Sequence, residues 1–154
     1  MKRCTFAALA LSLGLAVLAG EEQRPAPAAP IPESWIGQVT DAAQLPIEKY
    51  AWGTLQWVCN AKLMPGAAQT VGLATILPGQ HNPMHYHPNC EEVLHVLAGQ
   101  GLQSCDGRTI ALKAGMTICI PAKVQHNLVN TGTEPLRALV SFSTSDRKTV
   151  WIEK

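Results

Sequence analysis

Residues 79–99 read GQHNPMHYHPNCEEVLHVLAG, and their spacing carries both a fold class and a candidate site. His85-Tyr86-His87 sets two imidazoles two positions apart. Side chains on a strand alternate between faces, so this spacing sends both rings to the same side. Pro88-Asn89-Cys90 reads as a turn, and Glu92 then opens EVLHVLA, an aliphatic run of strand length ending at Gly99. Residues 115–130 read GMTICIPAKVQHNLVN, with His126 starting another such run just beyond Pro121. Three neutral imidazoles and one carboxylate on converging strands suit a borderline divalent metal. They leave coordination positions open for water, substrate or oxygen.

The same texture extends in both directions. Strands are predicted over Trp52–Asn60, Gln69–Leu77, Glu92–Ala98, Leu102–Cys105, Thr109–Leu112, Met116–Ile120, His126–Asn130 and Leu136–Ser143, with a short last one over Thr149–Ile152. Turn signals separate them: Pro65-Gly66, Pro78-Gly79, Gly99-Gln100-Gly101, Asp106-Gly107, Ala114-Gly115 and Thr131-Gly132. After residue 35 only Asp41–Tyr50 offers one or two helical turns. Many short strands with frequent turns and no internal repeat predict a single all-β domain, a sandwich or a barrel.

The N-terminus reads as an address. Lys2 and Arg3 precede an apolar run from Phe6 to Ala19, and Val17-Leu18-Ala19 offers small residues before Glu21-Glu22. This is the layout of a cleaved signal peptide over 1–20, and the run is short for a membrane span. An exported, periplasmic or secreted protein is expected, with no stable membrane association after cleavage. Residues 21–34, EEQRPAPAAPIPES, form a Pro/Ala-rich linker, and 35–154 the domain. Without Lys2 and Arg3 there remain 10 basic against 11 acidic residues. Such a balance has no electrostatic footprint for nucleic acid. Four cysteines follow the signal segment: Cys59, Cys90, Cys105 and Cys119. Their spacing leaves disulfides and buried free thiols equally open.

With those residues in view, the chain resembles the cupin superfamily, and small single-domain bacterial cupins in particular. Gly79, His85, His87, Glu92 and Gly99 fill every fixed position of the first cupin motif, G-x5-H-x-H-x4-E-x6-G. Gly115, Pro121, His126 and Asn130 match the second, G-x5-P-x-G-x2-H-x3-N, and 15 residues lie between the two. Lys123 departs from it, standing where the family usually has glycine. That position calls for a positive φ, at a cost on the order of 1 kcal/mol to a residue with a Cβ. The resemblance implies a double-stranded β-helix, or jelly-roll barrel, with metal in its mouth held by His85, His87, Glu92 and His126. Glu92 is chosen over Glu91 because only Glu92 keeps the six-residue gap to Gly99. Leu94 and Val96 then face inward, and Val93, His95 and Leu97 outward.

The family spans oxygenases, isomerases, decarboxylases, lyases and non-catalytic binders, and a fold does not imply a function. The expectation is a metal-dependent enzyme on a small organic molecule. Fe or Mn is favoured as the ion, with Zn, Ni or Cu able to occupy the same donors. Glu92 would act as base. Dioxygenase chemistry stands narrowly ahead of isomerase or lyase chemistry, and an exported small-ligand or metal-binding module is the alternative. Many cupins dimerise through edge strands, so an outward His95 beside apolar neighbours would suit a homodimer. His81 is expected in a solvent-facing loop, Tyr86 pointing outward and Met84 packed. Cys90 reads as a buried structural thiol, and Trp52, Trp57 and Trp151 as core or contact residues rather than pocket walls.

Overall fold

The structure, a computed structural model, describes Pro30 and residues 32–152. The expected signal segment, and the linker apart from Pro30 and residues 32–34, lie outside the described residues. Eleven strands are found among the described residues: β1 Glu48–Tyr50, β2 Gly53–Cys59, β3 Thr70–Ile76, β4 His85–Tyr86, β5 Glu92–Ala98, β6 Gln100–Cys105, β7 Arg108–Lys113, β8 Thr117–Ile120, β9 His126–Asn130, β10 Leu136–Phe142 and β11 Val150–Trp151. They form two antiparallel sheets, one ordered β1-β2-β3-β10-β5-β8 and the other β11-β4-β9-β6-β7. This is the jelly-roll arrangement expected, and the predicted strands fall within a residue or two of their observed bounds.

One expectation needs correcting. Asp41–Tyr50 gives a single 3-10 turn at Ala42–Gln44, where the Asp41 carboxylate accepts from Ala43 N–H at 2.9 Å. Pro46 then interrupts any helix, and Glu48–Tyr50 is recruited as a strand by β2.

Alternation builds the core. Along β3 and β10 every second residue points inward, so Ala74, Ile76, Leu136, Ala138, Val140 and Phe142 are buried. β5 contributes Leu94 and Val96, while Val93 and Leu97 remain outside, as the alternation predicts. Leu112 and Leu128 close the core from the second sheet. The β6–β7 hairpin turns at Asp106-Gly107, both with positive φ (46° and 76°). That backbone matches the twist of the paired strands and explains the Asp-Gly pair. Asn130, fully buried, donates to the Ile76 and Glu134 carbonyls at 2.8 Å and accepts from Gly132 N–H at 2.9 Å. It thereby fastens the end of β9 to the end of β3.

The inner face of β3 is unusually small where it meets β2. A Cβ at Gly72 would stand 2.7 Å from the Trp57 ring. Glycine at this point lets the indole lie against the sheet, leaving open space beside it.

Candidate metal centre

His85 and His126 are direct cross-strand partners on β4 and β9, and so share the inward face. His87 follows two residues after His85 and turns the same way, before Pro88 ends the local run. Glu92 comes from the opposite sheet, where it opens β5 between Ile120 of β8 and Phe142 of β10. All four are buried, and one ligand atom from each lies within 4.8 Å of the others. Glu91, the competing carboxylate, is exposed on the outer face.

The main chain orients each ring. Nδ1–H of His85 donates to the Pro83 carbonyl, that of His87 to Lys148 and that of His126 to Val124, each at 2.8 Å. A carbonyl only accepts, so Nδ1 carries the hydrogen and Nε2 of a neutral ring presents a lone pair to the centre. Nε2 of His87 and of His126 stand 3.2 and 3.1 Å from the same Glu92 oxygen, Oε2. Nitrogen lone pairs directed at a carboxylate oxygen repel unless a cation lies among them, either a proton on a ring or a metal ion. By this chemistry the donor set fits a divalent ion.

Charge is divided unevenly among the four. Burial works against ionisation of Glu92, but hydrogen bonds and charge from His126 and His87 outweigh it and hold the carboxyl down to about 2. Burial, reinforced by the charge of His126, pushes His85 down to about 4. His126 goes the other way. Its burial is overcome by the hydrogen bond to Glu92, which raises it. His85 is thus a neutral ligand at ordinary pH, whereas Glu92 favours the protonated form of His126.

A solvent-open cavity reaches this centre, bounded there by His85, His87 and Glu92.

The profile of the family described as "Cupin domain" matches residues 72–142, which contain all four converging side chains. The chain belongs to the cupin superfamily. Among the cupin's relatives, "Polyketide synthase CurC" of Streptomyces cyaneus is 28% identical over 106 residues, covering 69% of each chain. "Auxin-binding protein 1" of Arabidopsis thaliana is 32% identical, covering 75% of this chain and 63% of that protein. In fold the cupin is like the oxalate decarboxylase of Lactobacillus farciminis, with a TM-score of 0.68 at 23% identity. That likeness covers 71% of this chain but only 34% of the decarboxylase, so the cupin corresponds to about a third of it.

Around the centre, the remaining sequence candidates separate. Leu77–His81 lies beside β9, and the exposed His81 makes an isolated bridge to Val129. His95 points away from the cavity and shares a hydrogen bond with Thr117 Oγ1 at 2.8 Å. Lys123 adopts the positive φ expected of it, 71°, and its N–H donates to the His87 carbonyl at 2.8 Å. The non-glycine residue is therefore accommodated without releasing the ligand loop. Cys59, Cys90, Cys105 and Cys119 are all free thiols, with Cys90 packed in the core.

Trp52 and Trp57 pack against the core as expected, but the tryptophans reach the cavity as well. Trp52, Trp57 and Trp151 all line the cavity, and with Tyr50 and Phe142 they make five of the chain's eight aromatic residues. Sequence reading also missed Glu48 and Arg147, which line the same space. Glu48 accepts from Tyr50 O–H at 2.7 Å and from Trp57 Nε1–H at 3.2 Å. Burial, with that bond to Glu48, pushes the Tyr50 hydroxyl up to about 12, so it stays a donor. The clustering of aromatic residues in so aromatic-poor a chain was the one sequence signal that pointed to these walls.

Proposed function

We propose that this cupin is an exported metal-dependent enzyme acting on a small organic molecule, with dioxygenase chemistry ahead of isomerase or lyase chemistry. The observation that carries this reading is the convergence of three Nε2 lone pairs and the Glu92 carboxylate at the end of an aromatic-walled cavity. His85, His87, Glu92 and His126 would hold the ion. Fe or Mn is favoured, though Zn, Ni or Cu would bind the same donors by the usual affinity order. Such an ion supplies Lewis acidity and, for Fe or Mn, one-electron redox chemistry at the positions these residues leave open.

The protein's own groups have distinct parts in this scheme. Both imidazole contacts of Glu92 go to Oε2. Oε1 is the atom proposed to take a proton from substrate, Glu92 acting as base. The aromatic walls lower the local dielectric beside the centre and so strengthen its electrostatic contacts.

Export is supported by the basic start and apolar run over 1–20, and N-terminal sequencing of exported protein should begin near Glu21. A homodimer is supported by the free edge of β7, where Thr109, Ile110 and Ala111 are all exposed. A monomer by light scattering at micromolar concentration would count against it.

A second reading is a non-catalytic binding module for a small ligand. It is favoured by the relative whose name is auxin-binding protein. It is favoured too by Glu48, whose two carboxylate oxygens are already engaged by Tyr50 and Trp57. One experiment tests the main reading. Metal content and oxygen uptake with small organic substrates are measured on anaerobically purified protein and on His126→Ala. Near-stoichiometric Fe or Mn that disappears in the variant, with oxygen consumed only by the wild type, is the expected result. A stoichiometric ion with saturable ligand binding but no turnover would favour the binding module. No ion in either protein after reconstitution would overturn both metal-based readings.

A further inference from the structure

Arg147 is the unused charge in the cavity wall. Half-buried, it forms no ion pair among the described residues. A guanidinium is a fork of several N–H donors, and its one acceptor among the described residues is Thr149 Oγ1. Its carbon stands 4.6 Å from the Trp57 ring centre and 5.0 Å from that of Phe142. Cation–π contact of this kind holds the group against the wall, and its other N–H groups have no acceptor among the described residues. A single ring separates it from the centre, since Phe142 meets His87 edge-on at 4.8 Å. Thr149 provides a second link, its hydroxyl lying 3.4 Å from His87 Nδ1.

The segment carrying Arg147 is tied down. Asn89 donates to the Asp146 carbonyl at 2.8 Å and accepts from Lys148 N–H at 3.0 Å. Beyond it, Ile152 N–H donates to the Met84 carbonyl at 2.9 Å. The cation is therefore held in position rather than carried on a loose tail. Its charge is balanced at a distance by Glu92 and Glu48, but neither carboxylate forms an ion pair with it.

We propose that Arg147 anchors the carboxylate of a planar aromatic acid, whose ring lies between the indole walls and whose far edge meets the four-residue centre. The proposal deepens the reading of this cavity as a ligand site and rests on it. Charge selects an anion, and the planar fork selects a carboxylate through paired hydrogen bonds. The aromatic lining selects a flat apolar body. Glu48, beside the same cavity, disfavours a second negative group on the ligand.

The test is a tryptophan-fluorescence titration, using benzoate as probe, benzamide as its neutral counterpart and acetate as the anion without a ring. It is run on chelator-stripped protein and again after Mn(II) loading. Wild type should prefer benzoate over both others roughly tenfold or more, the scale of a charge-assisted hydrogen bond. Arg147→Gln should abolish the preference over benzamide while leaving benzamide binding intact, and Arg147→Lys should restore part of it. Equal binding of benzoate and benzamide by wild type overturns the proposal. So does a benzoate preference that survives Arg147→Gln, which would assign the carboxylate to the ion instead. Arg147-dependent selectivity in protein that takes up no Mn(II) supports the anchor and sinks the metal reading alone.

Discussion

At the scale of single residues, the three imidazoles owe their tautomer to backbone carbonyls rather than to an ion. The donor geometry is therefore built before metal arrives, and its protonation has a definite sign. His85 lies at about 4 against an ordinary 6.5, so the unfolded chain takes up that proton first. Stability should fall as pH drops from 6.5 towards 4. Glu92 continues the trend: what its depressed value contributes above 4.5 is lost as pH falls towards about 2. His126 is raised, so its contribution is full below 6.5 and declines as pH climbs through its folded value. Urea unfolding of metal-free protein is accordingly expected to give greatest stability near pH 6.5, falling on both sides. His85→Gln should flatten the acid limb. A stability that rises steadily from pH 4 to 8 would contradict the upward shift of His126.

Elements differ in what they support. β10 is the centre of the larger sheet, pairing with β3 on one side and β5 on the other. Its first residue, Leu136, is fully buried. Leu136→Ala should cost about 2–5 kcal/mol through lost burial and a cavity, read as a lower urea midpoint at unchanged slope. The ion should still bind under conditions where the variant is folded, because none of the four donors lies on β10. β11 and the segment before it depend instead on a few polar ties. Asn89→Ala removes two of them, and hydrogen exchange at Lys148 and Ile152 should accelerate at least several-fold. Protection unchanged at both amides would mean the β4–β11 pairing alone holds the segment.

For the molecule as a whole, an ion held by these donors would staple the sheets together, since His85 and His126 come from one and Glu92 from the other. A ligand that binds only the folded state stabilises it by roughly 2.7 kcal/mol at a hundredfold excess over Kd. Calorimetry with and without Mn(II) should then show an upward shift in Tm of several degrees. The shift should vanish in His126→Ala; an equal shift in that variant would place the ion elsewhere. Much of this architecture was legible beforehand, since strand alternation from Glu92 to Ala98 and the Asp106-Gly107 turn are local signals with local causes. β1 escaped notice because it is a strand only by pairing with β2; its three residues are all exposed and carry no period of their own.

By itself the amino-acid order determined the all-β domain, the four donors and the faces they share, because spacing of two along a strand is geometry that needs no partner. Lys123 belongs here as well, its positive φ following from its place in the motif. Only the tertiary structure decided the cavity's walls. Trp52 and Trp57 lie far along the chain from Arg147 and Trp151, and a pocket wall is a meeting of distant segments that no period encodes. It also decided the state of the four thiols, which their spacing left open, and the tautomer of each ligand ring. Those depend on where a carbonyl such as that of Lys148 comes to rest beside His87, 61 positions away in the sequence.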